Sequence, residues 1–552
     1  MSLSPISIGI PAGRADIAGS QATGYHQANS GLFNALLRHG SPGTVHVVKS
    51  SLLPRASLDL SPIATPPGSR KTATVEVFAP VGGGDRLTCS VWHELAGSFK
   101  SLYDWRALGL TGRAPFTFAS HGFHFTDQEP LQRLVTFDVQ PWDSLICSTP
   151  STRVLVEKLL DHTRELAKLA GSTRRLPFRL DVIPHGVDTE RFRPLAKAPL
   201  RVQLGLPASA LIVLSLGRIS PAWKGDLLPL LAVFRSVIRE RPDLPLVLAI
   251  AGYVRPDEKY YEALLRAYAA ELQLPPEQIK FVGPINAHDS QLWYAAADIF
   301  VGVTHFDNEN FGLTAVEAMA AGTPQIVTSW GGCRDTVVDD VTGFQIPTFS
   351  ARCDRDLAPY LPLWRAVDGW LIGGQTVGFD TRVFRERLLA LIDNEALRSR
   401  MAEESRRRAV SVYDWKHVVR QYEDLWRELI QQSSQMQTMP SVAVPKALTV
   451  FDRISELSSN ELAMDEPVEI SEIGTSVLEG RLSVPIYLGM ESVFSMEAVT
   501  RILELLRSRG RTRVGALVAE LSPDDADAAH PLRHLLFALK HGFVELCVPG
   551  TV

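Results

Sequence analysis

Glu309-Asn310-Phe311-Gly312-Leu313-Thr314-Ala315-Val316-Glu317 runs on through Ala318-Met319-Ala320-Ala321-Gly322-Thr323-Pro324 into the apolar segment Gln325-Ile326-Val327. The order reads as loop, helix, stop and strand. Asn310-Phe311-Gly312 is a poor helix interior, Leu313 to Ala321 is rich in helix formers, and Gly322 with Pro324 ends the helix. A helix that opens straight after a glycine presents N–H groups without internal partners at the positive end of its dipole. Such a place suits an anion, phosphate above all. Two carboxylates flank it: Glu309 in the approach loop, and Glu317 roughly 6 Å along the axis from Leu313 at 1.5 Å per residue. Carboxylates repel phosphate and bind hydroxyls. A ligand with a diphosphate centre and a sugar at each end, a sugar nucleotide, would satisfy all three groups. Two surface acids at a solvated helix start would carry the same glutamates with no ligand at all.

Outward from this stretch the chain alternates strands and helices. Towards the N-terminus, Ala210 to Leu216, Leu246 to Ala251, Ile279 to Gly283 and Asp298 to Val303 read as strands. Pro229 to Arg239 and Tyr260 to Leu272 read as the helices between them. Further back, Ile6 to Ile10 and Thr44 to Val48 flank a helix over Ala28 to Arg38, and Pro115 to Ser120 delivers His121-Gly122-Phe123-His124 at a strand's carboxyl end. Regular alternation of this kind predicts doubly wound parallel sheets, in which ligands collect at the carboxyl ends of the strands. The residues alone leave His121 and His124 open to an equally good reading as histidines packed in a polar core.

The pattern E-x-F-G-x-x-x-x-E-A-M-A-x-G-x-P over 309–324 resembles the donor-site signature of the retaining glycosyltransferase family 4. Two further stretches resemble it too: Ile183-Pro184-His185-Gly186-Val187-Asp188 with Phe192 and Pro194, and Leu216-Gly217-Arg218 followed by Lys224-Gly225. The resemblance covers roughly 1 to 430. It implies the GT-B fold, two Rossmann-like doubly wound domains facing across a cleft. The expected division is 1–195 for the acceptor domain, 196–405 for the donor-binding domain, 406–430 for a crossover helix returning to the first domain and 431–446 for a polar, proline-spaced linker. The passage near Gly186 is expected to turn sharply on a positive φ. A glycine-punctuated loop at Gly19-Ser20-Gln21 is a candidate phosphate loop, with a mere turn as the alternative.

Chemistry then assigns roles. Breaking the bond between an anomeric carbon and a diphosphate places negative charge on the leaving group, which a guanidinium and an ammonium at the same phosphates stabilise without a metal. Arg218 and Lys224 are the candidates, beside Gly217 and the N–H groups of Phe311, Gly312 and Leu313. By resemblance, Glu317 accepts from the nucleotide ribose, Glu309 from hydroxyls of the transferred sugar, and His121 lies near donor and acceptor. The family is held to retain configuration by front-face attack, with the departing phosphate assisting the acceptor. No metal or resident cofactor is expected; the nucleoside diphosphate sugar is substrate. The acceptor is expected to be a glycan, a lipid-linked group or a protein. A sugar-nucleotide epimerase of the same architecture and a non-catalytic sugar-nucleotide sensor or scaffold are the competing readings.

Composition agrees with a multidomain globular chain: 552 residues, 45% hydrophobic and 21% charged, with 56 Lys/Arg against 61 Asp/Glu, which argues against global attraction to polyanions. Five scattered cysteines form no zinc-ligand spacing, and Met1-Ser-Leu-Ser-Pro lacks the basic and apolar regions of a leader. A cytoplasmic place, including the inner face of the membrane, is expected. From Ser495 the chain reads as three helices (Met496 to Arg507, Arg513 to Leu521, Pro531 to His541) and a strand, resembling a small winged-helix unit within 447–552. That stretch holds 9 Lys/Arg against 16 Asp/Glu. An acidic module suits protein or peptide docking, or self-association, better than nucleic acid.

Overall fold

The computed structural model describes residues 5–12, 24–49, 69–77, 88–95, 99–120, 129–172, 176–285, 289–350, 366–437, 462–482, 494–522 and 529–547, with scattered residues at 353–363 and 459–460. The chain divides into two compact units, the larger holding both parallel sheets and the smaller built on the stretch from Ala443 onward.

In the larger unit the first sheet contains β1 (Ile8–Ala12), β2 (Gly43–Lys49), β3 (Lys71–Val77), β4 (Val91–Glu94), β5 (Phe116–Ala119), β6 (Ser144–Cys147) and β7 (Arg179–Val182), in the order β3-β2-β1-β4-β5-β6-β7. Pairing is parallel from β2 through β7. The second sheet contains β8 (Leu211–Arg218), β9 (Leu246–Tyr253), β10 (Ile279–Val282), β11 (Ile299–Gly302), β12 (Gln325–Thr328) and β13 (Gly343–Ile346), in the order β10-β9-β8-β11-β12-β13, parallel throughout. Its inner strands are mostly apolar runs buried on both faces, because helices cover each side, while the edge strand β10 is half-buried. The order reverses between β8 and β11. Arg218 ends β8, and the loop after β11 leads to Glu309, so the charged residues singled out above emerge at the switch point. A hairpin of β14 (Thr348–Ser350) and β15 (Val377–Phe379) follows, with the helix Ala366–Gln375 between its strands.

The helix Trp415–Gln435 returns to the first sheet. Asp414 opens it, its carboxylate accepting from the Lys416 N–H at 3.0 Å and from the Thr189 hydroxyl. Val418, Tyr422, Leu425 and Leu429 recur at helical spacing and bury one face against Leu32, Phe33 and Leu36 of the helix Gly24–His39. Glu423 is closed in there, accepting from the Ser41 N–H at 2.7 Å and Ser41 Oγ at 2.5 Å, with Lys71 Nζ at 3.3 Å. This helix also corrects the expectation for Gly186, which lies outside the left-handed region. A Cβ there would stand 2.2 Å from the Trp415 indole, so glycine is required for space.

The smaller unit has β16 (Pro467–Ile470), β17 (Thr512–Arg513) and β18 (Val544–Leu546) in an antiparallel sheet ordered β17-β16-β18. Helices Glu472–Leu478, Met496–Arg509, Val514–Leu521 and Ala529–Lys540 pack with it around Val468, Leu503, Leu506, Leu517 and Val544. β16, β17 and the first of these helices are additions to what the sequence pattern indicated.

Candidate active site

β8 runs as a buried strand to Gly217 and Arg218, paired with Gly252 and Tyr253 of β9. A Cβ on Gly217 would stand 3.8 Å from Lys224 Cε and 3.9 Å from Thr314 Cγ2. Strand end, lysine and motif helix therefore face one another. The six-residue step from Arg218 to Lys224 is shaped by Ser220, which is fully buried. Its Oγ accepts from the Trp223 N–H at 2.9 Å and donates to Glu258 Oε1 at 2.5 Å, and its carbonyl accepts from the Gly225 N–H at 3.0 Å. The fold of the loop places the Trp223 ring 5.8 Å from the Arg218 guanidinium. Burial pulls Arg218 below its ordinary basicity, opposed by the charge of Glu258. Among the described residues no carboxylate forms an ion pair with Arg218, which leaves its guanidinium available to an anion.

The motif forms as its pattern indicates, with a helix over Leu313–Ala320. Gly312 precedes it at φ +83°, and a Cβ there would lie 2.7 Å from Cys333 Sγ; conformation and space both demand glycine. Glu309 reaches over this helix start. Its Oε1 accepts from the Gly312 N–H at 3.0 Å, and its Oε2 accepts from Lys224 Nζ. The Gly312 N–H expected to meet donor phosphate is thus capped by Glu309 in this structure. The N–H groups of Leu313 and Thr314 lie in the first turn, where a helix offers no internal acceptor. Gly331 and Gly332 press on the same loop from behind: Cβ atoms on them would lie 2.1 Å from the Glu309 carbonyl oxygen and 2.3 Å from the Asn310 backbone.

Phe311 serves as an anchor, with its side chain 4% exposed. Its ring meets His185 edge-on at 5.1 Å and Tyr413 at 5.7 Å. Only its backbone is left for a ligand. Burial pushes His185 down to about 4, so it is neutral at pH 7. Beside it, Ser148, Thr149 and Thr152 from the junction of β6 with the helix Pro150–Leu169 each place a hydroxyl 3.0 Å from the Asn310 carbonyl. Asp335 accepts from the Ser151 N–H at 2.9 Å, setting a carboxylate on that helix's first turn.

Glu317 lies one turn into the motif helix, almost closed off, with Tyr294 Oη donating to its Oε2 at 2.9 Å. Burial pushes its carboxyl up to about 7, opposed by the Tyr294 hydrogen bond and by the charges of Arg191 and Lys224. The structure therefore gathers Gly217, Arg218, Lys224, Glu309, Gly312, Leu313 and Glu317 at one end of the second sheet. His121, His124 and the loop Gly19-Ser20-Gln21 lie outside the described residues. Sequence reading missed Tyr294, Ser220, Glu258 and His305, whose Nε2 accepts from the Asp226 N–H at 2.9 Å. An aromatic or acidic residue within an amphipathic segment carries no mark of such a contact. Among the described residues no cluster of three or more His, Cys, Asp or Glu is arranged to hold a metal, and no helix is long and apolar enough to cross a membrane.

Residues 197–352 match the family model described as "Glycosyl transferases group 1". Two solved structures share the architecture. Sucrose-phosphate synthase from Thermosynechococcus elongatus aligns with TM-score 0.52 and 19% identity over 77% of this chain and 99% of its own. A glycosyltransferase from Rickettsia africae aligns with TM-score 0.52 and 13% identity over 78% of this chain and 100% of its own. The fold is GT-B, and the stretch similar to the group 1 model holds the second parallel sheet. Among curated relatives, the D-inositol 3-phosphate glycosyltransferase of Thermobispora bispora is 37% identical over 191 residues, 34% of this chain and 43% of its own. The protein of the same name from Nocardioides sp. is 30% identical over 258 residues, 46% of this chain and 49% of its own. The chain spans about half the length of these curated relatives.

Proposed function

We propose that this chain transfers a sugar from a nucleoside diphosphate sugar to a hydroxyl of a glycan, lipid-linked or protein acceptor, with retention of configuration. The observation that carries the reading is the meeting of Arg218, Lys224 and Glu309 at the start of the motif helix, at the switch point of a parallel sheet. As the anomeric bond breaks, charge grows on the diphosphate, and two cations with a helix N-terminus oppose it in a partly dry site. Lys224 is 24% exposed at its side chain and Glu309 10%, so their pair is sheltered yet reachable. An incoming diphosphate takes over the ammonium and releases Oε2 of Glu309 to sugar hydroxyls. With Oε1 on the Gly312 N–H, Glu309 has the arrangement of a positioning group rather than of a nucleophile. For His121, a place near donor and acceptor rests on the resemblance alone.

The relatives named D-inositol 3-phosphate glycosyltransferase support sugar transfer and add a phosphorylated cyclitol to the acceptors to be screened. The acidic smaller unit fits a protein or peptide partner or a second copy; light scattering that returns one chain mass at every concentration removes self-association. A cytoplasmic site of action, at the inner membrane face for a lipid-linked acceptor, goes with this reading.

The test is turnover with a panel of nucleotide sugars and acceptors. Arg218→Ala and Lys224→Ala are each expected to lower turnover by about 10²-fold or more while nucleotide binding persists. Unchanged turnover in both overturns the assignment. Isomerised donor in reactions lacking acceptor would mark an epimerase instead.

A further inference from the structure

Tyr294 is fully buried in the helix Ser290–Ala296, and its ring sits between Phe192 and Phe300 at centroid distances of 6.0 and 5.7 Å. Its carbonyl accepts from Thr323 Oγ1 at 2.8 Å, tying it to the turn that ends the motif helix. Ring and backbone are thus held from three segments, and the hydroxyl is aimed at one atom, Glu317 Oε2. The Glu317 carboxylate makes no other hydrogen bond among the described residues, and the residue keeps 6% of its surface whereas Tyr294 keeps none. One carboxylate oxygen is occupied by a rigid internal donor, and the other is left to a ligand.

We propose that Tyr294 is a positioning residue for the nucleotide ribose, fixing Glu317 through Oε2 so that Oε1 faces the ribose hydroxyls. This rests on the reading of Glu317 as the ribose acceptor. The hydroxyl also biases the charge of that carboxyl. An ionised carboxylate accepts hydroxyl donors on both oxygens, whereas a protonated one spends an oxygen on its own proton. Three groups favour the ionised form of Glu317: Tyr294 from its helix, Arg191 from the segment after β7 and Lys224 from the loop after β8. Burial acts against them. Loss of the Tyr294 hydroxyl leaves burial less opposed, so the carboxyl titrates at higher pH and the accepting form becomes rarer near neutrality.

Tyr294→Phe keeps the ring and removes the donor. The full chain, wild type and variant, is titrated by calorimetry with UDP, GDP and ADP and with their 2′-deoxy counterparts, between about pH 6 and 9. For the ribonucleotide that the wild type binds, Tyr294→Phe is expected to weaken affinity about tenfold at pH 7, the size of one hydrogen bond to a charged group. The 2′-deoxy form should be nearly unaffected. The preference for ribose should rise with pH, with its midpoint shifted upward in the variant. Equal losses for both forms, or no loss for either, overturn the role of Tyr294. Glu317→Gln separates the two levels of argument: if it keeps the wild-type preference for ribose, the reading of Glu317 itself is wrong. If the wild type binds none of the six nucleotides, the donor reading falls and this inference with it.

Discussion

Glu309 and Glu317 share one motif and meet opposite surroundings. Glu309 is paired with Lys224 at the mouth of the helix, while Glu317 lies one turn further in, almost closed off against Tyr294. Burial pushes this carboxyl up to about 7 in the folded chain against 4.5 ordinarily. A carboxyl raised on folding favours the folded state while protonated, so its contribution is complete below about pH 4.5 and is lost as pH rises through about 7. At 1.36 kcal/mol per unit the loss is about 3 kcal/mol. Glu317→Gln cannot ionise, so its stability relative to wild type should climb across this window; denaturant midpoints at pH 4.5 and 7.5 check it. Gly312→Ala tests the other end of the motif. A positive φ and a 2.7 Å approach to Cys333 Sγ predict a loss of about 2 kcal/mol or more in denaturant unfolding. Glycine at 333 should recover the steric part and leave the conformational part.

At the scale of elements, the helix Pro150–Leu169 docks by its first turn on the motif loop. The Asn310 carbonyl has two lone pairs and three hydroxyls at 3.0 Å, so one donor is always redundant. Ser148→Ala alone should therefore cost about 0.5 kcal/mol or less, and Ser148→Ala with Thr152→Val should cost more than the two single losses added, about 1.5 kcal/mol. Thermal unfolding of the three variants shows whether the costs add. The loop from Arg218 to Lys224 obeys the same logic of local closure. Ser220 supplies its donors and acceptors, and Glu258 holds Ser220 from the segment after β9.

Across the whole larger unit, the helix Trp415–Gln435 ties the end of its fold to the first sheet through Glu423, Lys71 and Ser41. Lys71 is fully buried and Glu423 is 5% exposed at its side chain, so removing the carboxylate strands a cation in the interior. Glu423→Ala should cost about 3–5 kcal/mol by denaturant unfolding. Breaking the surface pair of Arg241 with Asp393, each more than a third exposed, should leave the denaturant midpoint almost unchanged. Burial, rather than the presence of a pair, separates the two.

Much of this was legible in the amino-acid order. Apolar runs separated by helical stripes specify parallel sheets, because each strand must be covered on two faces. The glycine before Leu313 and the breakers after Ala321 bound the motif helix by local backbone chemistry alone. The residues of the site were legible as types: two acids, two cations and a helix start. Their partners were not. Lys224 meets Glu309 across 85 residues and Tyr294 meets Glu317 across 23, and nothing in either segment's own periodicity marks the encounter. Gly186 makes the same point from the other side, since its turn suggested a backbone role and the Trp415 indole turned out to require the space. Sequence by itself determined the elements and the charges to be placed, since both are local properties. Tertiary structure alone decided which carboxylate is paired with a cation and which is buried against a phenol, because desolvation and proximity exist only after distant segments have packed.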